Sequence, residues 1–284
     1  MRDAVAVTVP PRRAAVLGSP ISHSLSPVLH GAAYEALGLD GWRYDAYECD
    51  EAGLRGFVAG LGPEWAGLSL TMPLKRVAME VAHEVSPLAA AVGAANTLVL
   101  TPDGRTADNT DVAGLVMTLR GAQLRGGRAV LLGAGGTAQA ALAALRELGV
   151  DEVAVLVRSV SRADELQAAA RRLGTAPEVD DALADPGRAA AALRGADLVL
   201  STLPAGAADA LGAAVPPGAV ALDAVYAPWP TPFAAAAAER GARVMSGLEM
   251  LLHQAVAQVE LMTGRPGPVD PMRAALDAAV AARH

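Results

Sequence analysis

A glycine-rich turn near the middle of the chain constrains the fold more than any other segment. It follows the short apolar run Arg128–Leu132, reads Gly133-Ala134-Gly135-Gly136-Thr137-Ala138, and leads into an alanine-rich stretch of helical composition. This order of buried strand, Gly-x-Gly-x-x-Ala and helix is typical of a dinucleotide-binding βαβ unit, in which the loop backbone and the helix N-terminus approach a pyrophosphate. We therefore predict that residues 133–137 bind a dinucleotide; a glycine turn with only a structural role is the alternative.

The same alternation of short apolar runs and helical stretches continues along most of the chain. Such a rhythm predicts an α/β fold with parallel sheets covered by helices, and 284 residues suffice for two domains. The last two predicted helices, residues 248–263 and 271–282, precede no further strand, so we expect them to pack back on the first domain. The predicted organisation is an N-terminal α/β domain of residues 1–110 plus 247–284 and a Rossmann-type doubly wound domain of residues 111–246.

Composition excludes several classes of partner. The formal net charge of −7 disfavours electrostatic binding to nucleic acid or to an anionic membrane surface. Long uncharged stretches are interrupted by Gly, Pro, Ser or Gln, and we see no secretory signal. Cys49 is the only cysteine, so neither an internal disulfide nor a thiolate metal site is possible within the chain. We expect a soluble cytoplasmic protein, a monomer or a homodimer, that binds a small molecule and no metal.

The end of the strand after the glycine turn bears on which dinucleotide is bound. An NAD-binding chain usually carries an acidic residue there, for the ribose hydroxyls. This chain instead reads Leu156-Val157-Arg158-Ser159, with Arg162 one helical turn later. Two guanidinium groups and a hydroxyl are suited to a 2′-phosphate. We predict NADP rather than NAD, bound by Arg158, Ser159 and Arg162; ordinary surface arginines are the alternative.

Two serines lie just before a predicted helix. The segment Ser22-His23-Ser24-Leu25-Ser26-Pro27 follows a strand, and Ser26 is a plausible N-cap. Hydroxyls of Ser24 and Ser26 beside a helix N-terminus form a small-anion site suited to a carboxylate. Helix capping alone is the alternative. His23 and His30 lack the partners of a metal site, so we expect them to pack or hydrogen-bond locally.

A single lysine stands out among the basic residues. Of the 23 Lys and Arg residues, only Lys75 is lysine. It follows Thr71-Met72-Pro73-Leu74, which predicts a helix over residues 73–84 with Lys75 in the first turn, where a cation opposes the helix dipole. Lysine can release a proton and arginine cannot, so this position suggests proton transfer. A solvated surface lysine is the alternative.

An acidic segment precedes the helix that follows the first strand series. It reads Asp108-Asn109-Thr110-Asp111, and we expect one of these residues to cap the helix. Asp111 could instead face a cleft and pair with Lys75. Sequence spacing leaves both roles open.

Six segments, taken in order, resemble the shikimate dehydrogenase family. The match runs from about residue 14 to residue 260. The resemblance implies NADP-dependent, reversible reduction of 3-dehydroshikimate to shikimate, in the pathway to chorismate and the aromatic amino acids. It also implies a substrate domain and a Rossmann domain with an active cleft between them. The segments are Ser22–Pro27, Thr71–Lys75, Gly93–Leu98, Asp108–Asp111, Gly133–Gly136 and Gly247–Gln254.

The resemblance also implies individual roles. Ser24 and Ser26 would hold the substrate carboxylate, and Lys75 with Asp111 would form the catalytic pair. The remaining implied contacts are Thr71, Asn96 and Gln254 around the ring hydroxyls, Tyr226 approaching from the cofactor domain, and Gly247 at the cofactor.

Two other functions remain open at this stage. One is a quinate/shikimate dehydrogenase that uses NAD. The other is a non-catalytic NADP-sensing protein, in which we would expect Lys75 or Asp111 to be replaced. His253, which precedes Gln254, is expected either to line the cleft or to pack against it.

Overall fold

The first of two six-stranded sheets is built from the N-terminal part of the chain. The computed structural model describes residues 11–124 and 127–283. The strand order of this sheet is β2-β1-β3-β5-β6-β4. Its strands are β1 (Arg12–Gly18), β2 (Trp42–Glu48), β3 (Trp65–Leu70), β4 (Glu84–Val85), β5 (Thr97–Thr101) and β6 (Gly104–Asp108), and its helices are α1 (Ser26–Ala36), α2 (Glu51–Ala59) and α3 (Pro87–Val92).

This sheet is mixed, whereas the sequence predicted parallel sheets. β1 pairs in parallel with β2 and β3, but β5 runs antiparallel to both β3 and β6. The turn between Thr101 and Gly104 makes β5 and β6 antiparallel, because so short a connection can join only antiparallel neighbours.

The second sheet is parallel throughout and doubly wound. Its order is β12-β11-β10-β7-β8-β9, so the chain builds outward from β7 in one direction and then returns to build outward in the other. The predicted Rossmann-type fold is confirmed, and its ligand site is expected at the carboxyl ends of β7 and β10, where the direction reverses. The strands are β7 (Arg128–Leu132), β8 (Glu152–Leu156), β9 (Glu178–Asp180), β10 (Leu198–Ser201), β11 (Val220–Asp223) and β12 (Arg243–Ser246).

Helices cover both faces of the second sheet, and the last two helices return to the first. The predicted packing of the C-terminal helices on the first part of the chain is confirmed: α9 contacts α1, β3 and β5, while α10 packs on α1. Leu29, Leu252 and Met272 are buried together in the core formed there. The helices are α4 (Asp111–Gly121), α5 (Gly136–Glu147), α6 (Asp164–Leu173), α7 (Pro186–Ala192), α8 (Pro232–Glu239), α9 (Gly247–Thr263) and α10 (Val269–Ala281).

The helix predicted over residues 73–84 does not form. The chain makes turns after β3, a short 3₁₀ helix at Val77–Glu80, and then the two-residue strand β4, which pairs with β6. In an α-helix the carbonyl of Lys75 would accept the amide of the residue four positions later. Here it accepts a hydrogen bond from the amide of Ala95 at 2.7 Å. Backbone hydrogen bonds to distant segments therefore replace those of a local helix. Lys75 does not lie in the first turn of an α-helix.

The described helices were also searched for membrane spans. Within residues 11–124 and 127–283, every helix is too short or too polar to cross a bilayer.

Candidate functional site

A cavity of about 190 Å³ lies between the two sheets. The segments that follow β1 and β3 line it from the first sheet, and those that follow β11 and β12 line it from the second. Helices α4, α5 and α9 complete the wall. Ten of the residues singled out in the sequence lie there together: Ser24, Ser26, Thr71, Lys75, Asn96, Asp111, Thr137, Tyr226, Gly247 and Gln254.

Lys75 is held by two side-chain contacts in the cavity. Its Nζ donates to Oδ2 of Asp111 at 2.5 Å and to Oγ1 of Thr137 at 3.3 Å. The side chains of Lys75 and Asp111 are 19% and 6% exposed, so water screens this ion pair much less than a surface pair. Asp111 is the first residue of α4 and faces the cavity, whereas Thr110 occupies the N-cap position without a side-chain capping bond. The pairing that the sequence left open is therefore present.

Asn96 organises the polar groups behind this pair. Its Nδ2 donates to Oδ1 of Asp111 at 2.8 Å and to Oγ1 of Thr110 at 2.9 Å, and lies 3.3 Å from Oε1 of Gln254. Its Oδ1 accepts the Thr110 amide at 2.7 Å. Asn96 is buried, and its amide has bonds on both its donor and its acceptor side, which fixes its orientation. It thereby fixes the carboxylate of Asp111 relative to the first sheet.

The two serines lie at the N-terminus of α1, but Ser26 is not its cap. Leu25 occupies the N-cap position without a side-chain bond, and Ser26 is the first helical residue. The chain enters the helix through a turn in which Oγ of Ser24 accepts the amide of Ser26 at 3.3 Å. Both serines line the cavity at the start of α1. The amides there are already bonded, that of Ser26 to Ser24 and those of Val28 and Leu29 to the carbonyl of Leu25.

Two polar residues of the cavity were missed by the sequence reasoning. Ser69 and Gln258 line it, and Oγ of Ser69 donates to Oε1 of Gln258 at 2.7 Å. Nε2 of Gln258 in turn donates to the carbonyl of Asn96 at 3.2 Å. Two sequence periods could have revealed them: Ser69 lies two residues before Thr71, on the same side of an extended chain, and Gln258 lies one helical turn after Gln254.

A second cavity, of about 660 Å³, adjoins the glycine turn. Its lining includes Gly133, Ala134 and Gly135 of the turn together with Arg158 and Arg162. Gly136 faces a neighbouring groove that it shares with Lys75 and Thr137. Ser159 does not reach this wall; its hydroxyl bonds at 2.9 Å to that of Ser161, which does line the cavity and was not singled out in the sequence.

The glycine turn has the shape that a dinucleotide requires. Gly133 has φ of +103°, a backbone conformation that an L side chain rarely adopts. A Cβ on Gly135 would meet no atom within 4 Å, so its backbone is open to an approaching pyrophosphate. Gly135 is also the N-cap residue of α5, whose first amides face the same space. The loop and the two arginines therefore fit a phosphorylated dinucleotide.

Tyr226 and Gly247 approach the cavity from the second sheet. Burial raises the pKa of Tyr226, which keeps its phenol neutral and able to donate a hydrogen bond. A Cβ on Gly247 would lie 2.2 Å from the carbonyl oxygen of Ala224, so this position requires glycine because two backbone segments pass close together.

The three histidines considered in the sequence have different surroundings. His23 is exposed at the cavity wall. His30 is fully buried and stacks on Tyr44 with ring centroids 3.9 Å apart, and burial lowers its pKa to about 3. His253 is not among the residues that line the cavity, and its Nε2 lies 3.9 Å from Oε2 of Glu249. Its pKa is lowered mainly by burial. Across residues 11–124 and 127–283, His, Cys, Asp and Glu side chains form no cluster of three or more suited to a metal ion.

The arrangement can transfer a proton to an oxygen next to a bound dinucleotide. An amine oriented by a buried carboxylate lies in a pocket between the two sheets, and the pocket adjoins a glycine turn at the switch point of a doubly wound sheet. These features define a dinucleotide-dependent dehydrogenase with a separate domain for its substrate.

Comparisons with known proteins identify the family. The model of the shikimate dehydrogenase substrate binding domain matches residues 16–98, and the model of the shikimate 5'-dehydrogenase C-terminal domain matches residues 247–276. A shikimate dehydrogenase (NADP(+)) of Maricaulis maris is 40% identical over 266 residues, which cover 90% of this chain and 91% of the relative. The chain belongs to the shikimate dehydrogenase family.

Solved structures agree with this assignment. The Mycobacterium tuberculosis shikimate dehydrogenase is 49% identical, with a TM-score of 0.85 over 95% of this chain and 100% of that one. A Thermus thermophilus shikimate 5-dehydrogenase solved with NADP(H) and shikimate is 32% identical, with a TM-score of 0.83 over 94% of this chain and 99% of that one.

Proposed function

We propose that this protein catalyses the reversible NADPH-dependent reduction of 3-dehydroshikimate to shikimate. Residues 1–110 and 247–284 would form the substrate domain, and residues 111–246 the NADP-binding domain. The free, buried thiol of Cys49 is in keeping with a reducing cytoplasmic setting. A small molecule is the only partner that this activity requires, and it can be performed by a monomer or by a homodimer.

The observation that carries the proposal is the position of Lys75. Its ammonium lies in the substrate cavity, bonded to the buried carboxylate of Asp111 and to Thr137 of the dinucleotide-binding loop. An ammonium group has three N–H donors, and these two contacts occupy two of them. The third can be directed to an oxygen of a ring held in the cavity.

Bound NADPH would supply a hydride to the carbonyl carbon of the substrate, which leaves negative charge on the carbonyl oxygen. Lys75 donates its proton to that oxygen, completes the alcohol, and becomes a neutral amine. Asp111 stays ionised and keeps the amine oriented. In the reverse direction the neutral amine takes the proton from the hydroxyl group.

The substrate would be held by neutral polar groups. Ser24 and Ser26 donate to its carboxylate, and the dipole of α1 places partial positive charge on the same side. The ring hydroxyls would hydrogen-bond to Thr71, Asn96 and Gln254, whose side chains differ in the donors and acceptors that they offer. Tyr226 would contact the substrate from the cofactor side.

The cofactor would be held by the glycine turn and by arginines. Residues 133–137 and Gly247 contact the pyrophosphate and nicotinamide parts, and Arg158 and Arg162 contact the 2′-phosphate. Ser159 would act through Ser161, which lines the cavity and whose hydroxyl is bonded to that of Ser159. The absence of a carboxylate at the end of β8 supports NADP over NAD.

An absorbance assay of the reduced nicotinamide tests the proposal. Shikimate and quinate are each combined with NADP and NAD, and we expect turnover to be fastest for shikimate with NADP. Preference for quinate with NAD would favour a quinate/shikimate dehydrogenase. Cofactor binding without turnover in any combination would leave an NADP-sensing protein.

Lys75→Arg is the matched control for the proton step. Arginine keeps the positive charge beside Asp111 but does not readily release a proton. We expect this variant to lower kcat by about 10²–10⁴-fold while it still binds NADPH. Turnover within a few-fold of the unmodified enzyme would refute Lys75 as the proton donor.

A further inference from the structure

The C-terminal end of the chain places a cation beside the substrate cavity. After α10 ends, the amide of Arg283 donates to the carbonyl of Val280 at 3.1 Å, and its Nη1 donates to the carbonyl of His23 at 3.0 Å. His23 and Ser24 are adjacent in the segment between β1 and α1, and both line the cavity. The guanidinium therefore lies against the outer side of the segment that carries a proposed carboxylate ligand.

The cavity itself offers little net positive charge. Among the described residues that line it, Lys75 and Asp111 carry opposite charges and pair with each other. Apart from the imidazole of His23, the other lining side chains are hydroxyls, amides, a phenol and apolar groups. The chain as a whole carries a formal charge of −7, so an anionic substrate approaches a protein of its own sign.

The positive charge of Arg283 acts on Tyr226, a residue of the cavity wall. Burial raises the pKa of Tyr226, and the positive charge of Arg283 offsets part of that rise. Tyr226 lines the cavity from the segment after β11, and His23 lines it from the segment after β1. The guanidinium thus lies within electrostatic range of both walls of the opening.

We propose that Arg283 is a substrate-binding residue at the rim, which attracts the substrate carboxylate toward Ser24 and Ser26. This inference rests on the proposed function, because it takes the substrate to be a monocarboxylate. A guanidinium has five N–H donors in a planar fork, so the bond to His23 leaves donors for a carboxylate. The role concerns binding rather than chemistry, so it predicts a change in KM and not in kcat.

The test compares Arg283→Gln with Arg283→Lys and with Arg265→Gln. Arg265 is the matched control, since it is also exposed and also donates to a main-chain carbonyl, that of Leu37 at 2.8 Å. At about 20 mM salt we expect Arg283→Gln to raise the KM for shikimate by about three- to tenfold with kcat and the KM for NADP nearly unchanged. Arg283→Lys should retain most of the affinity, and Arg265→Gln should leave KM unchanged. Thermal midpoints confirm that each variant is folded.

Two further measurements separate attraction from mere tethering of the His23 segment. Raising the salt to about 500 mM should shrink the difference between Arg283→Gln and the unmodified enzyme, because the Debye length falls to a few ångströms. The neutral methyl ester of shikimate should bind both proteins equally. A loss that is the same for the ester and at every salt concentration would overturn the proposal, as would a KM unchanged at low salt. If the unmodified enzyme fails to turn over shikimate, the proposed function fails instead, and calorimetric shikimate binding to the same variants still decides the role of Arg283.

Discussion

Replacing Asp111 by asparagine tests how the catalytic amine is held. In the structure one carboxylate oxygen of Asp111 accepts Nδ2 of Asn96 at 2.8 Å, and the other accepts Nζ of Lys75 at 2.5 Å. An asparagine of the same shape has only one oxygen, and its NH₂ group faces a second donor. It can therefore satisfy Asn96 or Lys75 but not both.

The size of the effect follows from the lost bond. A hydrogen bond to a charged group contributes about 1.5–3 kcal/mol, and about 1.4 kcal/mol corresponds to a factor of ten in rate. If Asn96 keeps its partner, we expect Asp111→Asn to lower kcat by about 10- to 150-fold, with a smaller change in KM. Because the side chain of Lys75 is 19% exposed and partly solvated, we expect the free energy of unfolding to fall by only about 1–3 kcal/mol.

Steady-state oxidation of shikimate, followed at the absorbance of NADPH, measures the loss. Asp103→Asn is the control, because Asp103 is an exposed carboxylate in the turn between β5 and β6. The double variant Lys75→Ala with Asp111→Asn should be no slower than Lys75→Ala alone, since both changes affect one proton transfer. Additive losses, or a kcat for Asp111→Asn within twofold of the unmodified enzyme, would falsify the assignment of Asp111 as the group that orients Lys75.

Three further substitutions probe the cofactor site and the core. Arg158→Ala should weaken NADP binding about ten- to a hundredfold and NAD binding hardly at all, while Arg171→Ala, an exposed arginine of α6, should affect neither; equal losses for both cofactors in a calorimetric titration would remove the 2′-phosphate assignment. The folded-state pKa of His30, about 3, lies below its unfolded value of 6.5, so stability is lost as pH falls from 6.5 toward 3, by about 2 kcal/mol at pH 5; His30→Gln should flatten this acid limb in denaturant titrations, and the exposed control His83→Gln should not. Gly133→Ala would place a Cβ at φ +103° and 2.7 Å from a neighbouring threonine hydroxyl, so we expect a loss of about 1–2 kcal/mol of stability together with NADPH affinity; an unchanged melting temperature and affinity would contradict the constraint.

The parts of the fold that the sequence predicted well are those whose signals are adjacent in the chain. The buried strand, the glycine turn and the helix after it are consecutive, and the structure has them at β7, Gly133–Gly135 and α5. The turn at Thr101–Gly104 is equally local, and it joins β5 and β6 as a hairpin.

The helix predicted over residues 73–84 was wrong because distant partners decide that segment. The carbonyl of Lys75 bonds to Ala95, and β4 bonds to β6, neither of which a local pattern can show. The inference about Lys75 therefore began from a wrong local structure. It also used the contrast between one lysine and many arginines, and that contrast holds whether or not a helix forms. The contrast pointed to Lys75, which pairs with Asp111 in the structure.

Partners far apart in sequence explain what was missed in the cavity. Ser69 and Gln258 are 189 residues apart and become neighbours only because α9 returns to the first sheet. Once that packing is known, the two residues can be recognised as hydrogen-bond partners, because buried polar side chains need such partners. Sequence spacing alone could place each on a face but could not bring the two faces together.

The two bonds of Lys75 end on residues that are held in place differently, so they depend differently on the cofactor. Asp111 is held by Asn96, which precedes β5, so this bond keeps the amine aligned with the substrate-holding groups of the first sheet. Thr137 instead lies in the first turn of α5, directly after the dinucleotide-binding loop, so the bond to it links the amine to the second sheet. A substitution at Asp111 should therefore disturb the amine whether or not NADPH is bound. Among the described residues, Thr137 makes the only hydrogen bond between the Lys75 amine and the dinucleotide-binding region. The effect of a Thr137 substitution on the orientation of the amine should therefore depend on how closely the cofactor loop lies against Lys75.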